Sequence, residues 1–337
     1  MADRSGPTVS FIIATRNRAT PLKAAIEAAR GQTVRDIEIV VVDDGSTDDT
    51  ASVCAAAQRG DERIRAFRCP GVGRSAARNT GLTNARGKWV VFLDDDDLVA
   101  DTFAARMLEA ASGAYACCCE AVAFDAALEQ EVSASRILHG PAGSAGTRGL
   151  IAVPLPDTIN LADLILANLF PINAVLVERR TLLRLGGFRP GLDFAEDYEL
   201  WLRLISAVGP IPVLHERLAL VRSHEQRSSR DLGRMAESAI SVIRECLERE
   251  SGTGRLPPRG LVRRRIARLA REQAYAALLE GDSRSARNAA MESVRTWPWS
   301  LKGWLYLGLA PTPRSYLRLR AVFLSTLPRR ARGAHRC

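Results

Sequence analysis

Three short apolar runs constrain this chain most: VSFIIA at 9–14, DIEIVVV at 36–42 and KWVVFL at 88–93. They are rich in β-branched and aromatic residues and do not alternate polar with apolar. Each therefore expects burial on both faces, as in a strand inside a parallel sheet. Helical segments lie between them. Thr20 can N-cap a helix that has Pro21 in its first turn and runs to Arg30, stopping at Gly31. Residues 47–58 read as a second helix, capped by Ser46 or Thr47, and 64–69 as a further strand. Residues 73–85 keep helical periodicity despite Gly81. This alternation predicts an α/β fold with a mostly parallel sheet flanked by helices.

In such sheets ligands bind beyond the carboxyl ends of the strands. The loops there read ATRNR, DDGSTDD and DDDDL. The last places Asp94, Asp95, Asp96 and Asp97 directly after a buried strand. Adjacent carboxylates repel one another and resist leaving water, so something must compensate them. Taken alone, the run fits a solvated turn as well as a divalent cation, which takes hard oxygen ligands. A second acidic pair at the same sheet edge, Asp43 and Asp44, favours a site.

The 337 residues allow one large domain or two ordinary ones, and 47% hydrophobic with 25% charged residues is a globular composition. MADRSGPTVS has no apolar core of a signal peptide. Residues 159–177 are weakly charged, but Asn160, Asp163, Asn168, Pro171 and Asn173 exclude a membrane span there. Seven cysteines without a CxxC pair support neither a disulfide framework nor a zinc site, and a reducing cytoplasm fits them.

Charge is unevenly placed. From Arg255 onward there are 18 Lys+Arg against 4 Asp+Glu, and before it 29 against 34. A basic tail implies an anionic partner. Helices are expected at 231–250, 261–280, 284–296 and 301–309, with a linker at 251–260. Residues 275–282 and 286–294 resemble one tetratricopeptide-like hairpin, too few copies for a repeat array. Trp297, Trp299, Trp304, Tyr306, Tyr316 and Phe323 beside Arg314, Arg318, Arg320, Arg329 and Arg330 suit an anionic membrane surface, on the inner face of a membrane. Basic helices packed on the rest of the chain are the alternative. No nucleic-acid motif is present, and no nucleic acid is expected as partner.

Five segments in order resemble family 2 glycosyltransferases of the nucleotide-sugar-binding GT-A fold: VSFIIATRNR, IEIVVVDDGSTDDT, RSAARNTGLTNARGKWVVFLDDDDL, LGGFRPGLDFAEDYELWLRL and LVRSHEQRSS. The resemblance covers roughly 7–230. It divides the chain into a GT-A domain at 1–230 and a basic helical region at 231–337. It implies metal-dependent, inverting transfer of a single sugar, with Mn²⁺ or Mg²⁺ as cofactor. The donor would be a nucleotide-diphosphate sugar. The acceptor would be the hydroxyl of a glycan or lipid-linked glycan, in polysaccharide or glycoconjugate synthesis. The processive Gln-x-x-Arg-Trp motif is absent.

The resemblance also assigns residues. Asp94 and Asp96 would touch ribose and metal. Four aspartates in a row leave the register open by one, so Asp95 remains a candidate and Asp97 a structural neighbour. Asp44 would bind the nucleobase, with Asp43 beside it. Thr15 and Arg18 lie in the first nucleotide loop, and Arg16 stands where the family often has Tyr. Arg74, Arg78 and Asn79 would meet base or phosphate oxygens. Asp197 is the expected general base, with Glu196 as its alternate. Gly186, Gly187 and Phe188 would shape the acceptor side. His224 is a further metal or diphosphate contact, or a surface histidine.

Two other functions use parts of the same pattern. A sugar-nucleotide-forming nucleotidyltransferase would open with a Gly-rich phosphate loop, and ATRNRATP contains no glycine. GVGRSA at 71–76 lacks the third Gly of a dinucleotide fingerprint. A basic adaptor binding anionic surfaces is the non-catalytic alternative.

Overall fold

β1 (Val9–Thr15) pairs in parallel with β2 (Ile37–Asp44) on one side and with β4 (Trp89–Phe92) on the other. β3 (Ile64–Cys69) extends the sheet beyond β2. Every residue of β2 and β4 is buried, including the charged Glu38, Asp43 and Asp44 of β2. The computed structural model describes residues 6–125, 147–149, 155–223 and 229–311. They fall into two units, Met1–Glu225 and Gln226–Cys337.

Beyond β4 the sheet becomes mixed. The full order is β3-β2-β1-β4-β9-β6-β10-β5. β9 (Val175–Glu178) is antiparallel to β4 and to β6 (Ala116–Asp125), and β6 is parallel to β10 (Ile211–Ser223). β5 (Leu98–Val99) runs antiparallel to β10, β7 (Thr147–Gly149) pairs with β6, and β8 (Thr158–Ile159) pairs with β10. The order 3-2-1-4 places the topological switch point between β1 and β4, where the crevice for a ligand opens.

Helices α1 (Ala19–Arg30), α2 (Thr50–Gly60), α3 (Arg74–Asn84) and α4 (Phe103–Ala110) follow β1, β2, β3 and β5. Shorter helices α5 (Leu161–Leu166) and α6 (Arg179–Arg184) precede α7 (Glu196–Val208). Two caps differ from expectation. α1 starts after Arg18, so Thr20 and Pro21 lie inside its first turn. Its orphan N–H groups go to the neighbouring loop: Arg18 N to Thr50 Oγ1 and Ala19 N to Asp48 Oδ2. α2 starts at Thr50, whose N–H goes to Asp48 Oδ1, rather than being capped by Ser46 or Thr47. Asp48 thus serves two helix starts, where a carboxylate suits the dipole.

Glu38, a charge inside an apolar strand, is also satisfied by neighbours. It accepts Ser10 Oγ at 2.7 Å, Gly87 N at 3.2 Å and Arg65 Nη1 at 2.9 Å. That network fixes the amino ends of β1, β2 and β4, opposite the ligand edge. Gly81 has a comparable reason. A Cβ there would lie 2.3 Å from Ile12 Cγ2, so only glycine lets α3 approach β1.

The second unit contains α8 (Ser229–Arg249), α9 (Arg259–Glu280), α10 (Ser283–Thr296) and α11 (Leu301–Leu309). α9 and α10 pack through alanines, Ala274 and Ala277 against Ala286, Ala289 and Ala290, with Tyr306 of α11 over the seam. Gly281 ends α9 in the left-handed region (φ 78°), and Asp282 caps α10 through the N–H groups of Arg284 and Ser285. Among the described residues no helix is long and apolar enough to cross a membrane.

Gly81→Ala should destabilise the chain by about 1–3 kcal/mol, because overpacking against buried Ile12 outweighs the better helix propensity of alanine. Urea unfolding checks this: an unchanged or higher midpoint would contradict the close α3–β1 contact.

Candidate active site

Three strand ends meet at one edge. Thr15 closes β1 opposite Asp43, its register partner on β2. The loop after β1 is held by Asn17 in the left-handed region (φ 54°), which asparagine tolerates. Asn17 Oδ1 accepts Thr47 N at 2.7 Å, and Asn17 N donates to Ser46 Oγ at 2.9 Å, so the two loops are sewn together. Asp43 Oδ1 accepts Ser46 N at 2.8 Å. Its Oδ2 is buried without a hydrogen bond, with Arg68 Nη1 3.7 Å away. Asp44 turns the other way: its oxygens take Val72 N at 2.7 Å and Gly73 N at 2.9 Å, the turn that starts α3. Of the two, only Asp43 keeps an oxygen without a hydrogen bond.

The four aspartates after β4 are compensated by arginines from three elements. Asp94 accepts Arg78 Nη2 at 2.6 Å. Arg18 Nη1 lies 3.3 Å from Asp95 Oδ1 and also donates to Asp96 Oδ2. Asp97 Oδ1 accepts Arg222 N at 2.9 Å, and Arg222 Nε donates to the Asp96 carbonyl at 2.8 Å. The compensation is incomplete. Burial, with the charges of Asp96 and Asp94 adding to it, pushes the Asp95 carboxyl up to about 6. Burial, followed by Asp94 and Asp96, raises Asp97 well above the usual carboxylate range.

Oxygens of Asp94, Asp96 and Asp97 lie within 4.8 Å of one another. They are hard donors on a turn that carries excess negative charge, which fits a divalent cation such as Mg²⁺ or Mn²⁺. Asp97, read from the sequence as a structural neighbour, joins this cluster.

Arg78 connects that turn to α7. It is buried and donates Nη1 to Glu196 Oε1 at 2.7 Å, while its guanidinium lies 5.3 Å from the centre of the Phe188 ring. Burial disfavours its charge, but Asp94 and Glu196 outweigh that and raise its pKa. Arg74, more than half exposed, adds a 3.2 Å contact to the same Glu196 oxygen. Burial also works against the Glu196 carboxylate, yet Arg78 and Arg74 hold its pKa below the usual value. Glu196, the alternate base, is therefore a fixed counter-ion rather than a proton acceptor. Asp197 differs. Burial, then the charge of Glu196, pushes its carboxyl up to about 6, and the field of Asp94 reaches it. Ala195 in the left-handed region (φ 59°) makes the sharp entry to this helix turn.

The glycine turn ahead of α7 corrects two expectations. Asn79 does not present its amide to the crevice. Its Nδ2 donates to Phe188 O at 2.7 Å and its Oδ1 accepts Phe188 N at 2.8 Å. A Cβ on Gly187 (φ 67°) would sit 2.3 Å from Asn79 Oδ1, which is why glycine occupies that position. Phe188 is fully buried and packs edge-on against Phe92 at 4.7 Å, so it supports the floor and does not face an acceptor. Gly186 is exposed. Arg203, not anticipated from sequence, donates to the carbonyls of Leu185 and Gly187 at 2.7 Å each and pairs with Glu199. Its signal was the Glu-x-x-x-Arg spacing on α7. Arg222 was missed because only His224 was singled out from LVRSHEQRSS. His224 lies outside the described residues.

The Glycosyl transferase family 2 model matches residues 10–154, which span β1, the acidic turn after β4, and β6. The family 2 glycosyl transferase match is confined to those residues. A Campylobacter jejuni protein, "GalNAc(5)-diNAcBac-PP-undecaprenol beta-1,3-glucosyltransferase", is 38% identical over 112 residues, 33% of this chain and 36% of that one. The chain thus spans about a third of that relative's length. S. aureus TarS 1-349 in complex with UDP-GlcNAc shares the fold at a TM-score of 0.55 and 17% identity, over 86% of this chain and 81% of that one. The mannosyltransferase PcManGT from Pyrobaculum calidifontis, in complex with GDP-Man and Mn2+, also has a TM-score of 0.55 at 17% identity, over 91% and 87%.

The Arg78 bridge is the ion pair with most at stake. Arg78→Met should cost about 3–5 kcal/mol, because it removes the buried partner of both Asp94 and Glu196 and leaves Glu196 only the more exposed Arg74. Arg74→Met, at an exposed position, should cost less than about 1 kcal/mol. Denaturant unfolding of the two variants checks the ranking, and equal losses would contradict it.

Proposed function

We propose that this chain transfers a single sugar from a nucleotide-diphosphate sugar to an acceptor hydroxyl, with inversion and with Asp197 as general base. The observation that carries this reading is the Arg78 bridge. It joins the acidic turn after β4 to the first turn of α7, so carboxylates suited to a departing diphosphate and a carboxyl suited to a base share one crevice. UDP-GlcNAc in TarS and GDP-Man with Mn2+ in PcManGT support a nucleotide-sugar donor. The undecaprenol-linked glycan in the name of the Campylobacter jejuni relative supports a glycan or lipid-linked glycan as acceptor, in glycoconjugate synthesis.

Roles follow from the contacts. Asp43 Oδ2 is the open acceptor for a nucleobase N–H, with Asp44 shaping the loop beside it. Thr15 and Arg18 line the phosphate path. Arg18 is half exposed and free to turn from Asp95 and Asp96 toward a diphosphate. A divalent cation held by Asp94 and Asp96, with Asp97 adjacent, would neutralise the leaving diphosphate. Arg78 keeps the turn and the base at fixed separation. Asp197 takes the acceptor proton. Burial raises its carboxyl to about 6, which makes it a stronger base than a solvated aspartate and still leaves it mostly ionised at neutral pH. Direct displacement at the anomeric carbon then needs no protein nucleophile.

Calorimetric titration with UDP, GDP, dTDP and CDP in Mn²⁺ should find one that binds tightly, with binding lost in EDTA and in Asp96→Ala. Failure of all four to bind would sink the donor reading.

Asp197→Asn should keep nucleotide affinity and lower kcat by about 10²–10⁴-fold. In the unsubstituted chain kcat/KM should fall as pH drops through about 6, because protonated Asp197 cannot accept a proton. A normal rate in Asp197→Asn would assign the base elsewhere.

A further inference from the structure

The second unit carries a charged feature that the donor site does not use. A groove of about 940 Å³ runs along α10 and is lined by Arg244, Arg284, Arg287, Glu292 and Arg295 among others. Positions 284, 287, 291 and 295 follow helical spacing on the face of α10 opposite its buried alanines, Ala286, Ala289 and Ala290. Among the described residues Glu292 is the only acid lining the groove, and it is matched by Arg244 at 2.6 Å. Arg284, Arg287 and Arg295 make no ion pair among the described residues. Asp282 lies near Arg284 but gives its Oδ1 to the N–H groups that cap α10. Residues 312–337 contain seven Lys+Arg and no Asp or Glu.

Next to this groove the surface is apolar. Trp299, Leu301, Trp304 and Leu305 are 81%, 84%, 53% and 56% exposed. Leu301, Trp304 and Leu305 share one face of α11, while Tyr306 and Leu307 pack inward on α9 and α10. Ala310 and Pro311, at the end of α11, line the groove. Trp299 and Leu301 follow groove-lining Arg295 by four and six residues, so the apolar surface begins where α10 ends. Exposed tryptophan and leucine beside unmatched arginines is the composition of an interfacial lipid-binding surface.

We propose that the helical unit is a docking surface for an anionic lipid layer. The α10 groove takes phosphate groups of the lipid heads through Arg284, Arg287 and Arg295, and Trp299, Leu301, Trp304 and Leu305 enter the acyl boundary. The exposed aliphatic and indole face favours lipid over nucleic acid, which offers phosphates but no apolar layer. This surface is independent of the nucleotide reading, since none of its residues belongs to the donor crevice.

The test is co-sedimentation of the full chain with phosphatidylcholine vesicles, with and without phosphatidylglycerol. The chain should pellet only with the anionic vesicles. The triple variant Arg284→Gln, Arg287→Gln, Arg295→Gln should lower the partition coefficient by about 100-fold, at about 1 kcal/mol per arginine. Trp304→Ala should also weaken binding. All these positions are exposed or groove-lining, so circular dichroism and the melting temperature should not change. Wild-type partitioning by the triple variant would overturn the proposal, because other basic residues would then carry the binding. Binding of inorganic pyrophosphate without vesicle binding would overturn the lipid source, and tighter binding to duplex DNA than to anionic vesicles would overturn the class of partner.

Discussion

β1 is hydrogen-bonded on both sides, to β2 and to β4, and the site depends on that double pairing. The strand is buried on both faces, so its register cannot slip without exposing Phe11 and Ile13 or burying polar neighbours. Fixing it brings the ends of β1 and β2 and the turn after β4 to one edge. The chain then reverses its strand order between β1 and β4, and the crevice opens where the four aspartates lie. Glu38 at the opposite ends of the same strands serves the complementary purpose, holding the amino edge closed with a satisfied polar network.

Concentrating carboxylates at that edge sets an electrostatic problem, and the chain answers it with arginines drawn from distant segments. Arg18, Arg78 and Arg222 each meet one or two of the aspartates. They do not remove all of the strain, as the raised carboxyls of Asp95 and Asp97 indicate. Carboxylates compensated only in part gain by taking up a cation. Glu196 and Asp197 show how finely the same logic works over one residue. Glu196 faces two guanidiniums and stays ionised, whereas Asp197 faces Glu196 and is pushed up.

The second unit is built on a different plan. α9 and α10 meet through an alanine seam, and arginines Arg284, Arg287 and Arg295 on the far face of α10 are exposed, while Arg244 and Arg268 pair with Glu292 and Glu272. The family model ends at residue 154, so that plan has to be understood from its own packing and charge.

The sequence by itself determined the parallel half of the sheet, its flanking helices, the α7 start and the helices of the second unit. In these segments the signal is local: apolar runs, helical period, Gly and Asp punctuation. It also marked the acidic turn, because four aspartates after a buried strand are conspicuous in any context. Tertiary structure alone decided the rest. The mixed half of the sheet, with β5, β9 and β10, depends on partners far away in the chain. The caps of α1 and α2 come from Asp48 across a loop. Asn79 turned out to be a brace and Phe188 a floor residue, because a side chain's use is set by what faces it. Asp43 and Asp44, and likewise Glu196 and Asp197, are adjacent and alike in sequence. Only the fold, by choosing which backbone amides and guanidiniums each one meets, made them different.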